Sequence, residues 1–131
     1  MALLKETVGR NERNVMKICR IVILEPPCGT KIVSRSYKTD QHLSDDTLMH
    51  LPLWGVEKEK TDVESRAGTT AASFFDLLKD IGGLEQLFVL RRDGFYVTVT
   101  TPEQWETAEP QIFDALRTAY GFDKVEVVDK L

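Results

Sequence analysis

Residues 88–110 read FVLRRDGFYVTVTTPEQWETAEP, and the organisation of this stretch decides the fold. Two apolar runs, Leu87 to Arg92 and Phe95 to Thr101, flank Asp93-Gly94. An Asp-Gly pair between such runs predicts a tight hairpin, because a type I′ turn needs positive φ at both central positions. A two-residue loop sets Arg92 opposite Phe95, Leu90 opposite Val97 and Phe88 opposite Val99. That register predicts Phe88, Leu90, Phe95, Val97 and Val99 on a core face. Leu87, Val89, Arg91, Tyr96, Thr98 and Thr100 fall on the other face, where Arg91 can lie over Tyr96. The TPEQ at 101–104 then spells a capping box, with Thr101 as N-cap, Pro102 at N1 and Gln104 at N3. Ile112, Phe113, Leu116, Ala119 and Tyr120 form one helical stripe beyond it. Pro110 has no N–H, so the main helix is expected to start near Thr107 and to hold Pro110 in its first turn.

Upstream, TTAASFFDLLKDIGG (69–83) places Phe74, Leu77, Leu78 and Ile81 on one helix face, with Thr70 as N-cap and Gly82-Gly83 at the end. Ile18 to Leu24 is an apolar run rich in Ile and Val, ended by Pro26-Pro27, and reads as a strand. Lys31 to Tyr37 alternates and is its expected hairpin partner. SDDT at 44–47 predicts a short helix capped by Ser44 and stopped by Pro52. Trp54 to Gly68 reads as a charged connector with at most one strand. Gly121 ends the last helix, and Lys124 to Val128 alternates as a final strand. The whole is a small α+β domain over residues 15–131: an antiparallel sheet with a central Asp-Gly hairpin packed against two helices. Residues 1–14 read as a flexible polar tail, and Met16 is an alternative start.

Bulk properties agree with one folded domain. The chain has 131 residues, 42% hydrophobic and 29% charged, which is ordinary for a globular protein. Its net charge of −4 sets it against a general phosphate-binding surface, so no nucleic-acid partner is expected. No apolar run approaches the roughly 20 residues of a membrane helix, and the first 15 residues lack a secretory pattern. The expected location is cytoplasmic, with no membrane association. Cys19 and Cys28 are then expected to be thiols.

The ordered set LLKDIGGL (77–84), LFV (87–89), GFYVTVTT (94–101), Trp105, Pro110 and Ile112 resembles the N-terminal domain of Nfu/NifU-type iron–sulfur scaffold proteins. The likeness covers about residues 70–120. EPPCGTKIV (25–33) resembles that family's opening loop and strand, with PPCG in place of an Asn-containing loop, and residues 37–68 have no aligned counterpart. The family's scaffold proteins carry a C-x-x-C pair in a following domain, and this sequence has none. The resemblance therefore implies an accessory or adapter domain, non-catalytic and without cofactor. Its expected partner is a protein, an iron–sulfur assembly component or client. The alternative function is a small ligand-binding or regulatory α+β domain unrelated to clusters.

Candidate site residues follow from this reading. The mixed hairpin face with Leu87, Val89, Arg91 and Tyr96, together with Trp105, is the expected partner surface, since Tyr, Trp and Arg are enriched at interface hot spots. Trp105 also suits a plainer role, stapling the hairpin to the helix that follows. Cys19 and Cys28 are the available thiolates for a cluster, but four are usual, and Cys19 in an apolar strand reads as a small buried residue. His42, Asp46 and His50 have i, i+4, i+8 spacing, which on one helix could hold a metal. Capping accounts for the aspartates without one. No nucleophile–base pattern or phosphate-cradling loop stands out.

Overall fold

The computed structural model describes residues 16–24, 33–53 and 60–131. Ile18–Leu24 (β1) alternates, with Cys19 and Ile21 turned inward and fully buried. It pairs antiparallel with Ser34–Thr39 (β2), as the sequence predicts. Met49–Pro52 forms β3, Lys60–Ala67 α1, Thr69–Leu78 α2, Leu84–Arg91 β4 and Gly94–Val99 β5. A 3-10 turn at Pro102–Gln104 leads into Trp105–Tyr120 (α3), and Lys124–Val127 is β6. The strands make one sheet in the order β3-β4-β5-β2-β1-β6. Five strands are antiparallel, and β6 joins β1 in parallel. The α+β expectation holds, but the sheet is mixed rather than purely antiparallel.

The hairpin β4–β5 sits inside the sheet, and its register differs from the expected one. Arg91 pairs with Gly94, so Arg92 and Asp93 form the two-residue turn and Gly94 opens β5. Among the described residues only Gly68, Gly83 and Gly121 have positive φ, so the turn does not need the Asp-Gly conformation. An irregularity between Val89 and Arg91 leaves Leu90 as an extra residue. One inserted residue reverses every side chain before it. Leu87 and Val89, expected outside, are each 1% exposed. Phe88 and Leu90, expected in the core, lie on the opposite face, half-buried and exposed respectively. On β5 the expectation stands: Phe95, Val97 and Val99 are buried.

The helices cover the face that carries Tyr37 and Phe95. Phe74 of α2 meets Phe95 edge-on with centroids 5.0 Å apart, Tyr37 stacks on Phe95 at 5.2 Å, and Phe113 of α3 meets Tyr37 edge-on. Ile112 and Leu116 of α3 are fully buried in the same cluster. The capping box forms, with Gln104 Oε1 accepting from the Thr101 N–H at 3.0 Å. α3 nevertheless starts at Trp105, so Pro110 lies in its second turn, on the exposed side, where solvent can take the Glu106 carbonyl it leaves free. α2 starts at Thr69 with Gly68, not Thr70, as N-cap.

The segment after Asp40 departs most from expectation. No helix forms at 44–47. The Ser44 hydroxyl instead accepts from the Asp46 N–H and donates to the Asp46 carbonyl, a local turn that competes with helix. Pro52 is the last residue of the edge strand β3, a position that needs no N–H in the ladder. α1, within the expected charged connector, has a weak apolar stripe and buries only Val63 and Ala67.

Candidate functional site

Alternation leaves the second face of the sheet uncovered by the described helices, and its residues line up in cross-strand rows. His50, Phe88, Tyr96, Ser36 and Leu24 are successive Cα partners across β3, β4, β5, β2 and β1. The three rings of this row are nearly parallel. His50 lies on Phe88 with centroids 4.4 Å apart and 11° between planes, and Phe88 lies on Tyr96 at 4.4 Å and 15°. Pairs of this kind add about 0.5–1.5 kcal/mol beyond burial. His50 Nε2 also donates to Gln86 Oε1, which steers the imidazole along the strand. The neighbouring row carries Gln86, Thr98 and Ser34, with the Ser34 and Thr98 hydroxyls bonded at 3.0 Å.

On the other side of the aromatic row, Gly94 pairs with Lys38 and Lys38 with Val22. Gly94 brings no side chain, and a dimple of about 90 Å³ opens there between Leu24, Leu90, Ser36 and Lys38. Leu24 and Leu90 are 43% and 39% exposed. Lys38 also borders a wider cleft of about 420 Å³ that holds His42, Asp40, Arg92, Asp93 and Leu131.

Of the residues expected on a partner surface, only Tyr96 is placed there with its side chain described. Leu87 and Val89 belong to the core for the register reason above. The Arg91 side chain lies outside the described residues. Trp105 is 5% exposed and packs at the start of α3 under the Arg35 guanidinium, 4.8 Å from its centroid, a placement that suits the stapling role. The sequence reading missed His50 and Phe88 as surface neighbours. The His-x-Pro alternation at 50–52 was the available signal for a strand.

Arg35 belongs to a network that sequence gave no sign of. Glu109 Oε2 accepts from the Tyr37 hydroxyl at 2.6 Å and from Arg35 Nη1 at 2.8 Å, tying α3 to β2. Burial above all, and then the bond to Glu109, hold the Tyr37 phenol well above its ordinary range. The network is packed and locks a neutral phenol in place, which suits structure rather than proton transfer.

Among the described residues the candidate ligands do not come together. Cys19 is fully buried, and burial, then Asp40, push its thiol up to about 12. It is a protonated core residue, not an available thiolate. Cys28 lies outside the described residues. His42 bonds Asp45 at 2.8 Å, Asp46 is held by Arg66 at 2.6 Å, and His50 stacks in the ladder. Arg66 above all keeps the Asp46 carboxyl below its ordinary range. Among the described residues no three His, Cys, Asp or Glu side chains are grouped to hold a metal. No described helix is long and apolar enough to cross a membrane.

Comparison with family models, with curated proteins and with solved structures returns no match to this chain.

Proposed function

We propose that this chain is a non-catalytic accessory domain that acts through protein–protein contact. The single observation that carries this reading is the sheet face that the described helices leave uncovered, with its His50–Phe88–Tyr96 ladder. Aromatic side chains held rigid by their neighbours offer contact area at low entropic cost, which is what a docking surface requires. In this proposal the contact belongs to iron–sulfur cluster assembly, with an assembly component or client as partner, a reading that rests on the sequence resemblance to the Nfu/NifU N-terminal domain. The order helix, paired strands, Trp105 turn and helix supports that part, with Leu78, Ile81 and Ile112 of the resembling motif all buried. No cofactor of its own enters the proposal. The test is affinity capture of the tagged chain from its native organism, under mild and anaerobic conditions. Enrichment of cluster-assembly proteins or iron–sulfur clients, lost with Tyr96→Ala, supports the reading. A native-like Tyr96→Ala chain that recovers the same proteins equally removes the face from the account.

A further inference from the structure

The open face differs from the rest of the molecule in charge. The chain has 21 acidic and 17 basic residues, yet the three rows that run through Gly94, Tyr96 and Thr98 contain no Asp or Glu. On β6 the nearest carboxylate, Glu126, faces Arg20 at 3.7 Å. Lys38 stands beside the dimple with no ion pair among the described residues. Arg92, exposed at the hairpin turn, lies across the adjoining cleft. Of the two acids in that cleft, Asp40 is turned to Arg20, whose N–H donates to Oδ1 at 2.9 Å. Asp93 remains at the turn. Among the described residues, three rows of an otherwise acidic protein are thus free of carboxylates, with Lys38 and Arg92 at their corner beside Asp93 and the Arg20-bound Asp40.

The dimensions narrow the occupant further. Four to five strands spaced about 4.8 Å apart, across three rows about 7 Å apart, give an area of about 440 Å². A stable pairing of two copies needs about 800 Å² from each. The dimple, at about 90 Å³, is well below the roughly 300 Å³ at which small-molecule pockets begin. It suits one branched aliphatic side chain.

From these observations, and resting on the adapter reading above, we propose that the open face binds an extended acidic segment of a partner protein. One aliphatic side chain of that segment fills the dimple at Gly94. The adjoining chain crosses Tyr96, and its carboxylates approach Lys38 and Arg92.

The proposal is tested by titrating the isotope-labelled full chain, at low salt, with synthetic twelve-residue peptides and following backbone amide shifts. The probes are an Asp/Glu/Ser/Gly peptide with one central Leu, the same peptide with Gly for Leu, a version with Lys for every acid, and a twelve-nucleotide oligo-dT. The expected result is that the first peptide moves the amides of Ser36, Lys38, Gly94 and Tyr96. Loss of its Leu, or Lys38→Glu in the chain, should weaken binding about tenfold. Lys38→Glu changes a half-buried side chain that has no ion pair among the described residues, so folding is checked by its unshifted core amides. No binding of the first peptide, shifts confined to α2 and α3, or equal binding of the Lys peptide overturns the proposal. So does stronger binding of oligo-dT, or a sedimentation dimer that blocks the face. If the acidic peptide fails while Tyr96→Ala still abolishes recovery of a captured partner, the chemistry proposed here falls and the adapter reading stands. If capture yields no partner that depends on this face, the adapter reading falls with it.

Discussion

Truncating Leu87 and Leu90 separately distinguishes the two possible registers of the central hairpin. Leu87 pairs with Val97 in the middle of the sheet and is 1% exposed, whereas Leu90 is the extra residue beside the turn and is 39% exposed. Leu87→Ala removes buried carbons and leaves a cavity that the neighbouring strands fill only in part, a loss of about 2–5 kcal/mol. Leu90→Ala removes a side chain already in contact with water and should cost about 0.5 kcal/mol. Unfolding entropy of ~2.1 cal/mol/K per residue over 131 residues is ~0.28 kcal/mol/K. A loss of ~3 kcal/mol therefore lowers the thermal midpoint by ~11 °C, and a loss of ~0.5 kcal/mol by ~2 °C. Circular dichroism melts, with urea titrations to confirm equal m-values, read both. A turn centred on Asp93-Gly94 would put Leu90 in the core and Leu87 outside, and would reverse the order. Equal or reversed losses refute the register.

Three further outcomes follow from single contacts. Gly83 has φ +88° and its missing Cβ would collide with the Gln104 side chain that caps Thr101, so Gly83→Ala should cost about 1–3 kcal/mol, while Gly82→Ala, open within 4 Å, should be near neutral in the same urea titration. Glu109→Ala removes the acceptor of the buried Tyr37 hydroxyl and should cost about 1–3 kcal/mol; Glu109→Gln, which keeps an acceptor, should cost less, and equal losses would show that the hydrogen bond is not what matters. Cys19, Tyr37 and Tyr120 all hold their protons more tightly when folded, chiefly through burial. The thiol's share is complete below its unfolded value of about 8.5 and is lost as pH rises toward about 12, where folded Cys19 ionises; the phenols' share begins to be lost only above about 10. Urea stability should fall between pH 9 and 11, by up to about 1.4 kcal/mol per pH unit for each group, and Cys19→Ala should flatten the first part of that fall; an unchanged slope would contradict the thiol's part in it.

Much of the fold was legible because its signals are local. Gly121 ends α3, Thr101 and Gln104 cap its approach, and the spacing of Phe74 and Leu78 marks α2. The β1–β2 pair also shows in its alternation. What was not legible depends on non-local balance. The bulge at Leu90 moves the turn by one residue, and no residue type in LRRDG demands it. Only the competition between Leu87 with Val89 and Phe88 with Leu90 for burial against α2 and α3 settles the face. α1 has too few apolar residues to announce itself, and it is placed by tertiary ties such as Arg66 to Asp46 and the Asp45 N–H to the Ala67 carbonyl. Ser44 could cap a helix equally well as close a turn, and packing chose the turn. At the candidate site Tyr96 was visible through β5 alternation. Its neighbours Phe88 and His50 were hidden by the register and by the missing strand β3.

The central claim, that this domain works by presenting its open sheet face to a protein, is tested most directly by site-specific photocrosslinking in the native cell. A benzoyl-phenylalanine is placed at position 96 in one strain and at position 111, on the exposed side of α3, in another, and crosslinked products are identified by mass spectrometry. The account predicts a discrete product from position 96 containing an iron–sulfur assembly protein or client, and none of it from position 111. The same partner crosslinked from position 111 and not from 96 would contradict it.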